Sequence, residues 1–155
     1  MKAKVIINFA ARFGVDVALN PELTVEKNGR YYLVNSTLKP LVREDYFYAG
    51  LYLGKAKEGK FFPSFNLLSM LAKQDAHRVV VDQKSAWLFI CGRDVLGKGV
   101  VKTMGSAKRG AATLVLNEFG ECLGFGTIVN SLEDARDQVF VRHVVDVGDF
   151  LRREK

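Results

Sequence analysis

Between residues 78 and 145, short β-rich runs alternate with glycine-bearing connections, and this alternation constrains the fold more than any other feature of the chain. The runs cover 78–82, 100–104, 113–116, 122–129 and 139–145. The connections carry Gly92, Gly97, Gly99, Gly105 and Gly110, and Asn117-Glu-Phe-Gly120 forms a turn. Many short strands with frequent turn signals predict a small barrel or sandwich. Ser85 is placed to cap a short helix carrying Ala86, Trp87, Leu88 and Cys91, and Trp87 is expected inside the barrel core. Ser131 and Asp134 predict a second short capped helix, and residues 147–153 a terminal helical turn.

The N-terminal half reads differently. Val5, Ile6, Phe9, Ala10 and Phe13 recur at helical spacing up to Gly14, which predicts an amphipathic helix over 2–13. Two β-rich runs, 23–27 and 30–34, flank Asn28-Gly29, a strong hairpin signal. Residues 36–43, with Pro40 among them, are ambiguous, and 46–55 alternate as a strand. Pro63-Ser64 opens a helix with Phe65, Leu68, Leu71 and Ala72 on one face. A new pattern begins at 74–77, so the expected division is an α/β domain of residues 1–76 and a β domain of residues 77–155, an α+β fold overall.

The chain has 155 residues, 48% of them hydrophobic and 26% charged, as in ordinary globular proteins. No apolar run approaches the roughly 20 residues of a membrane span, and Asn8 and Arg12 interrupt the only leader-like stretch. An intracellular protein with no membrane partner is expected, cytoplasmic in an archaeal cell and nucleolar in a eukaryotic one. The two cysteines, Cys91 and Cys122, form no Cys-x-x-Cys pair and read as reduced core thiols. The net charge of +6 is unevenly spread. Arg93, Lys98, Lys102, Lys108 and Arg109 face only Asp94 within 93–117, whereas 118–149 is acidic, with Arg136 and Arg142 its only cations. Arg152, Arg153 and Lys155 then close the chain against Glu154. A fold that joins the two basic segments would present phosphate-attracting charge.

Familiar catalytic patterns are missing. His77 and His143 stand alone, and neither Gly-x-Ser-x-Gly nor a phosphate-loop Gly-Lys-Ser/Thr occurs. No cofactor or metal is expected. Gly92-Arg-Asp-Val-Leu-Gly-Lys-Gly-Val-Val-Lys102 instead joins flexible backbone to cations. In the N-terminal half, the tyrosines of 46–52 (Tyr46, Tyr48 and Tyr52) are amphipathic rings of the kind enriched at protein interfaces, so that strand is expected to dock a protein.

Three motifs resemble parts of a PUA domain. Ala86-Trp-Leu-Phe-Ile-Cys-Gly-Arg-Asp-Val-Leu-Gly-Lys-Gly-Val100 is similar to its opening helix and glycine loop. Leu114-Val-Leu-Asn-Glu-Phe-Gly-Glu-Cys-Leu-Gly-Phe-Gly-Thr127 is similar to its central hairpin, and Asp146-Val-Gly-Asp-Phe-Leu-Arg-Arg-Glu154 to its closing segment. The whole chain resembles ribosome-biogenesis factors of the Nip-seven family, in element order, in Gly124-Phe-Gly126 and in that finish. Its shorter N-terminal half suggests an archaeal-type member. The resemblance implies a non-enzymatic protein that binds rRNA through a PUA pseudo-barrel during large-subunit assembly and contacts other assembly factors through residues 1–76. It implies an RNA surface at Arg93, Lys98, Lys102, Arg152, Arg153 and Lys155, with Lys108 and Arg109 in a loop that varies among PUA domains. Two alternatives stay open: an RNA-modifying enzyme or its accessory subunit, which would gather Asp45, Asp82 or His143 in a pocket, and a protein–protein adaptor whose basic patch only confers solubility.

Overall fold

The computed structural model describes residues 3–42 and 49–153. Helix α1, Lys4–Ala11, buries Ile6, Phe9 and Ala10, so the helical period prevails over the β-branched Val-Ile-Ile. The hairpin β1, Thr24–Lys27, and β2, Arg30–Leu33, turns at Asn28 and Gly29 with φ of 53° and 80°. Two consecutive positive φ angles suit the twist of the flanking strands. Strand β3, Leu51–Lys57, runs past the expected end at Lys55 into a second hairpin with β4, Lys60–Pro63, where no strand is expected from the sequence. Its turn, Glu58-Gly59, also has positive φ at both residues, 52° and 75°. Glutamate seldom adopts that conformation, which hid the hairpin. The four strands form an antiparallel sheet in chain order. Ser64 Oγ accepts the Leu67 N–H at 3.2 Å and starts helix α2, Phe65–Ala72.

The second sheet begins with β5, Arg78–Val81, and helix α3, Gln83–Ile90. Asp82, not Ser85, caps α3: its Oδ1 accepts the Ser85 N–H at 2.8 Å. Then come β6, Val95–Leu96, a 3-10 turn at Gly97–Gly99, and β7, Val100–Met104. Strands β8, Ala112–Leu116, β9, Cys122–Ile128, and β10, Val139–Asp146, precede helix α4, Val147–Arg153. The order is β6-β10-β9-β8-β5-β7, parallel only between β5 and β8. The two edge strands, β6 and β7, are joined by the three-residue turn, so the sheet curls back on itself as a pseudo-barrel. The helix expected at Ser131 is a turn instead. Ser131 Oγ donates to Asp134 Oδ2 at 2.8 Å, a local bond that competes with helix.

The sheets change near residue 76, but the core does not divide there. Phe9, Phe13, Leu53 and Leu68 pack with Leu114 and Phe125 of the barrel in one cluster. The Phe125 ring lies 5.6 Å from Phe9 and 5.5 Å from Phe13, both edge to face. A second cluster, including Val79, Phe89, Val115 and Phe140, fills the barrel. Strand β8 is therefore buried on both faces, which explains why Thr113 is its only polar residue. Trp87 is not in either cluster. It is 64% exposed, and Phe89 takes the inward place. Cys91, expected in the core, is exposed, and Cys122 is half-buried.

Candidate nucleic-acid interface

The surface is built around α3. Its C-terminal end is held by the chain terminus. Asp146 at the end of β10 is 0% exposed, and a buried carboxylate needs partners. Its Oδ1 accepts the Asp149 N–H at 2.7 Å, which starts α4. Its Oδ2 lies 2.5 Å from His143 Nε2, and the Arg152 guanidinium reaches both oxygens at 3.3 and 3.4 Å. Arg152 also donates to the Ile90 carbonyl at 3.2 Å. A Cβ on Gly148 would meet Ile90 O at 2.4 Å, so glycine is what lets α4 approach α3. The closing motif Asp146-Val-Gly-Asp is thus a clasp between α4 and α3.

The N-terminal end of α3 is held by the 3-10 turn. Gly97 and Lys98 donate backbone N–H groups to the Ala135 and Arg136 carbonyls, each at 2.8 Å, and Gly99 O accepts the Asp82 N–H at 2.9 Å. A Cβ on Gly99 would lie 1.9 Å from Ser85 Oγ. Lys98 and Arg152 therefore mark opposite ends of α3. At 1.5 Å per residue its eight residues separate them by about 12 Å along the axis. The two basic segments are thus both anchored on α3, one at each end.

Between those ends, α3 presents Lys84, Trp87 and Cys91, all exposed and at i, i+3, i+7 spacing on one stripe. Arg93 follows, exposed, its N–H donated to the Leu88 carbonyl. The arrangement is an exposed indole framed by cations. Sequence reasoning placed Trp87 inside because tryptophan is usually buried. The clue it passed over was the helical offset of Trp87 from Phe89. Lys98 forms an exposed ion pair with Asp137 at 3.4 Å, and Lys102 is exposed on β7 opposite Val80.

Lys108 and Arg109 lie in the β7–β8 loop, both exposed. Arg109 borders a groove of about 490 Å³ together with Asp94, Thr127, Asn130 and Arg142. Arg142 was not a candidate, because its segment is acidic by count. The signal was its outward position on β10 between buried Val141 and half-buried His143. Of the expected docking residues, Tyr52 is half-buried, 5.5 Å from the Tyr32 ring, while Tyr46 and Tyr48 lie outside the described residues, as do Asp45 and Lys155. Of Arg153 only its place on α4 is described. Asp82 is engaged in capping and His143 in the clasp.

Cys122 Sγ donates to Gly124 O at 3.6 Å, and burial pushes its thiol up to about 11. No group of three or more potential metal-ligating side chains occurs among the described residues, and no helix among them is long and apolar enough to cross a membrane.

Residues 77–155 match the model of the UPF0113 PUA domain. A UPF0113 protein of Archaeoglobus fulgidus is 30% identical over 112 residues, covering 70% of this chain, which spans 63% of that protein's length. A conserved PUA domain protein from Thermoplasma acidophilum has the same fold over 98% of this chain and 93% of its own, with a TM-score of 0.61 at 20% identity. A PUA domain from Aeropyrum pernix K1, solved as a tartrate complex, is 27% identical with a TM-score of 0.51, covering 61% of this chain and 56% of its own. The barrel and the clasp fall within the residues that the family model matches, and the chain belongs to the UPF0113 PUA domain family.

Proposed function

We propose that this protein is a non-enzymatic RNA-binding factor of ribosome biogenesis, a Nip-seven-type protein that holds pre-rRNA during large-subunit assembly. The observation that carries the reading is the exposed Trp87 framed by Lys84, Arg93, Lys98 and Arg152 on a PUA fold. Single-stranded RNA is held by ring stacking and by cations that neutralise phosphate, and this stripe offers both. Arg152 is bound to Asp146, which fixes its direction. Lys102, Lys108 and Arg109 extend the basic field, Arg142 joins Arg109, and the family resemblance adds Arg153 and Lys155. The N-terminal half, through the segment 46–52 with Tyr46, Tyr48 and Tyr52, docks other assembly factors. The protein works inside the cell without metal or cofactor.

Crosslinking in cells, followed by sequencing of the attached RNA, tests this. Large-subunit rRNA is the expected product. Transfer RNA in its place, or a base modification by the purified protein that one point substitution abolishes, overturns it in favour of RNA modification.

A further inference from the structure

The N-terminal sheet carries a basic, aromatic face that the PUA surface does not include. Directly opposed residues of paired strands share a face. Lys27 stands opposite Arg30, Arg30 opposite Lys55, and Lys55 opposite Phe62, so one row crosses all four strands. Lys57 opposite Lys60 adds a second, exposed pair. The opposite face is apolar: Phe61 and Tyr31 pack with Phe9 against the main core. Tyr32 and Val25 on the basic row's own face are covered by Val34 and Ala49, so the open part is the cationic end. The nearby carboxylates are Glu26, which accepts the Gly29 N–H at 2.7 Å, and Glu58, exposed in the β3–β4 turn.

This face borders a groove of about 370 Å³, lined by Tyr52, Lys55, Lys57 and Phe62 on the sheet side and by Val145 and Asp149 on the barrel side. Phe62 is 44% exposed, an unusual position for a phenyl ring beside two lysines. Asp149 belongs to the same helix as Arg152, which is bound to the end of α3.

We infer that this groove is a second RNA site, which takes one unpaired base against Phe62 and its flanking phosphates on Lys55 and Lys57. The inference rests on the RNA-binding reading above and extends it: a single strand leaving α4 passes onto the N-terminal sheet. Asp149 repels phosphate from the barrel wall and leaves that side to the base. An apolar partner peptide would gain nothing from the two lysines beside the ring, whereas a nucleotide matches both features.

The test is fluorescence anisotropy of the full chain with a labelled ten-nucleotide oligouridine and with an abasic strand of equal length. Phe62→Ala weakens oligouridine binding about fivefold or more, the low end of base–aromatic stacking, and leaves abasic binding unchanged. Phe62→Tyr restores the affinity, which separates stacking from loss of fold. Lys57→Gln weakens both strands and shallows the salt slope by about 0.7. If Phe62→Ala and Lys57→Gln both bind as wild type while Arg109→Ala/Arg142→Ala is weakened, the groove is not an RNA site and the PUA reading stands. If wild type binds neither strand at low salt, both readings fail.

Discussion

Replacing Phe125 with alanine removes the ring that joins the two halves of the molecule. Phe125 is almost wholly buried on β9 and meets Phe9 and Phe13 edge to face. A buried Phe→Ala substitution costs about 3–5 kcal/mol, from lost transfer energy and the cavity left behind. Each edge-to-face pair adds about 0.5–1.5 kcal/mol beyond area burial, and two such pairs place this site toward the upper end. For a chain of this size, 1 kcal/mol shifts Tm by about 2–4 °C, so a drop of roughly 10 °C or more follows. Because the ring sits in a shared core, the whole chain should still melt as one unit. Thermal denaturation followed by far-UV circular dichroism and calorimetry measures both quantities. A double-mutant cycle with Phe9→Ala should return a coupling of about 1 kcal/mol. Two separate transitions, with only one moved by Phe125→Ala, would refute the shared core. A fragment of residues 77–155 should be less cooperative than the full chain, since it exposes Leu114 and Phe125.

Three further outcomes follow. Asp146→Ala should cost about 1–3 kcal/mol in urea denaturation, because it leaves His143 and the Asp149 N–H without their acceptor while half-exposed Arg152 turns to solvent; a loss under about 0.5 kcal/mol would mean that the clasp contributes little. Iodoacetamide should label exposed Cys91 readily at pH 8 and Cys122 only as pH approaches 11, since burial keeps the Cys122 thiol protonated below that range; equal labelling at pH 8 would contradict its burial. Trp87, the only tryptophan, should emit as a water-exposed indole and be quenched by added oligouridine, and a blue, unquenched emission would remove it from the interface.

The local pattern carried α1, the Asn28-Gly29 hairpin, α2 and the five longer strands of the barrel, because period and turn chemistry are properties of neighbouring residues. It also carried the terminal helix, through Asp146-Val-Gly-Asp. What it missed has both local and distant causes. β4 was hidden because Glu58 adopts a positive φ that glutamate rarely takes. Trp87 was misplaced because burial of the next inward position, Phe89, depends on how α3 lies on the barrel. Arg142 was overlooked because counting charge along the chain mixes the two faces of a strand. How the two basic segments meet α3 was invisible because each is pinned by backbone partners, Arg136 and Ile90, far away in sequence.

On the proposed function, the PUA surface around α3 holds RNA by phosphate contact. Titrating a labelled ten-nucleotide oligouridine against wild type and against Lys84→Ala/Arg93→Ala at several salt concentrations tests it most directly. Each lost phosphate contact on a single strand removes about 0.7 from the slope of log affinity against log salt. Steep weakening with salt is expected for wild type and a slope shallower by about 1.4 for the variant, with its fold intact because exposed charges contribute little stability. Equal affinities and equal slopes for the two proteins would contradict it.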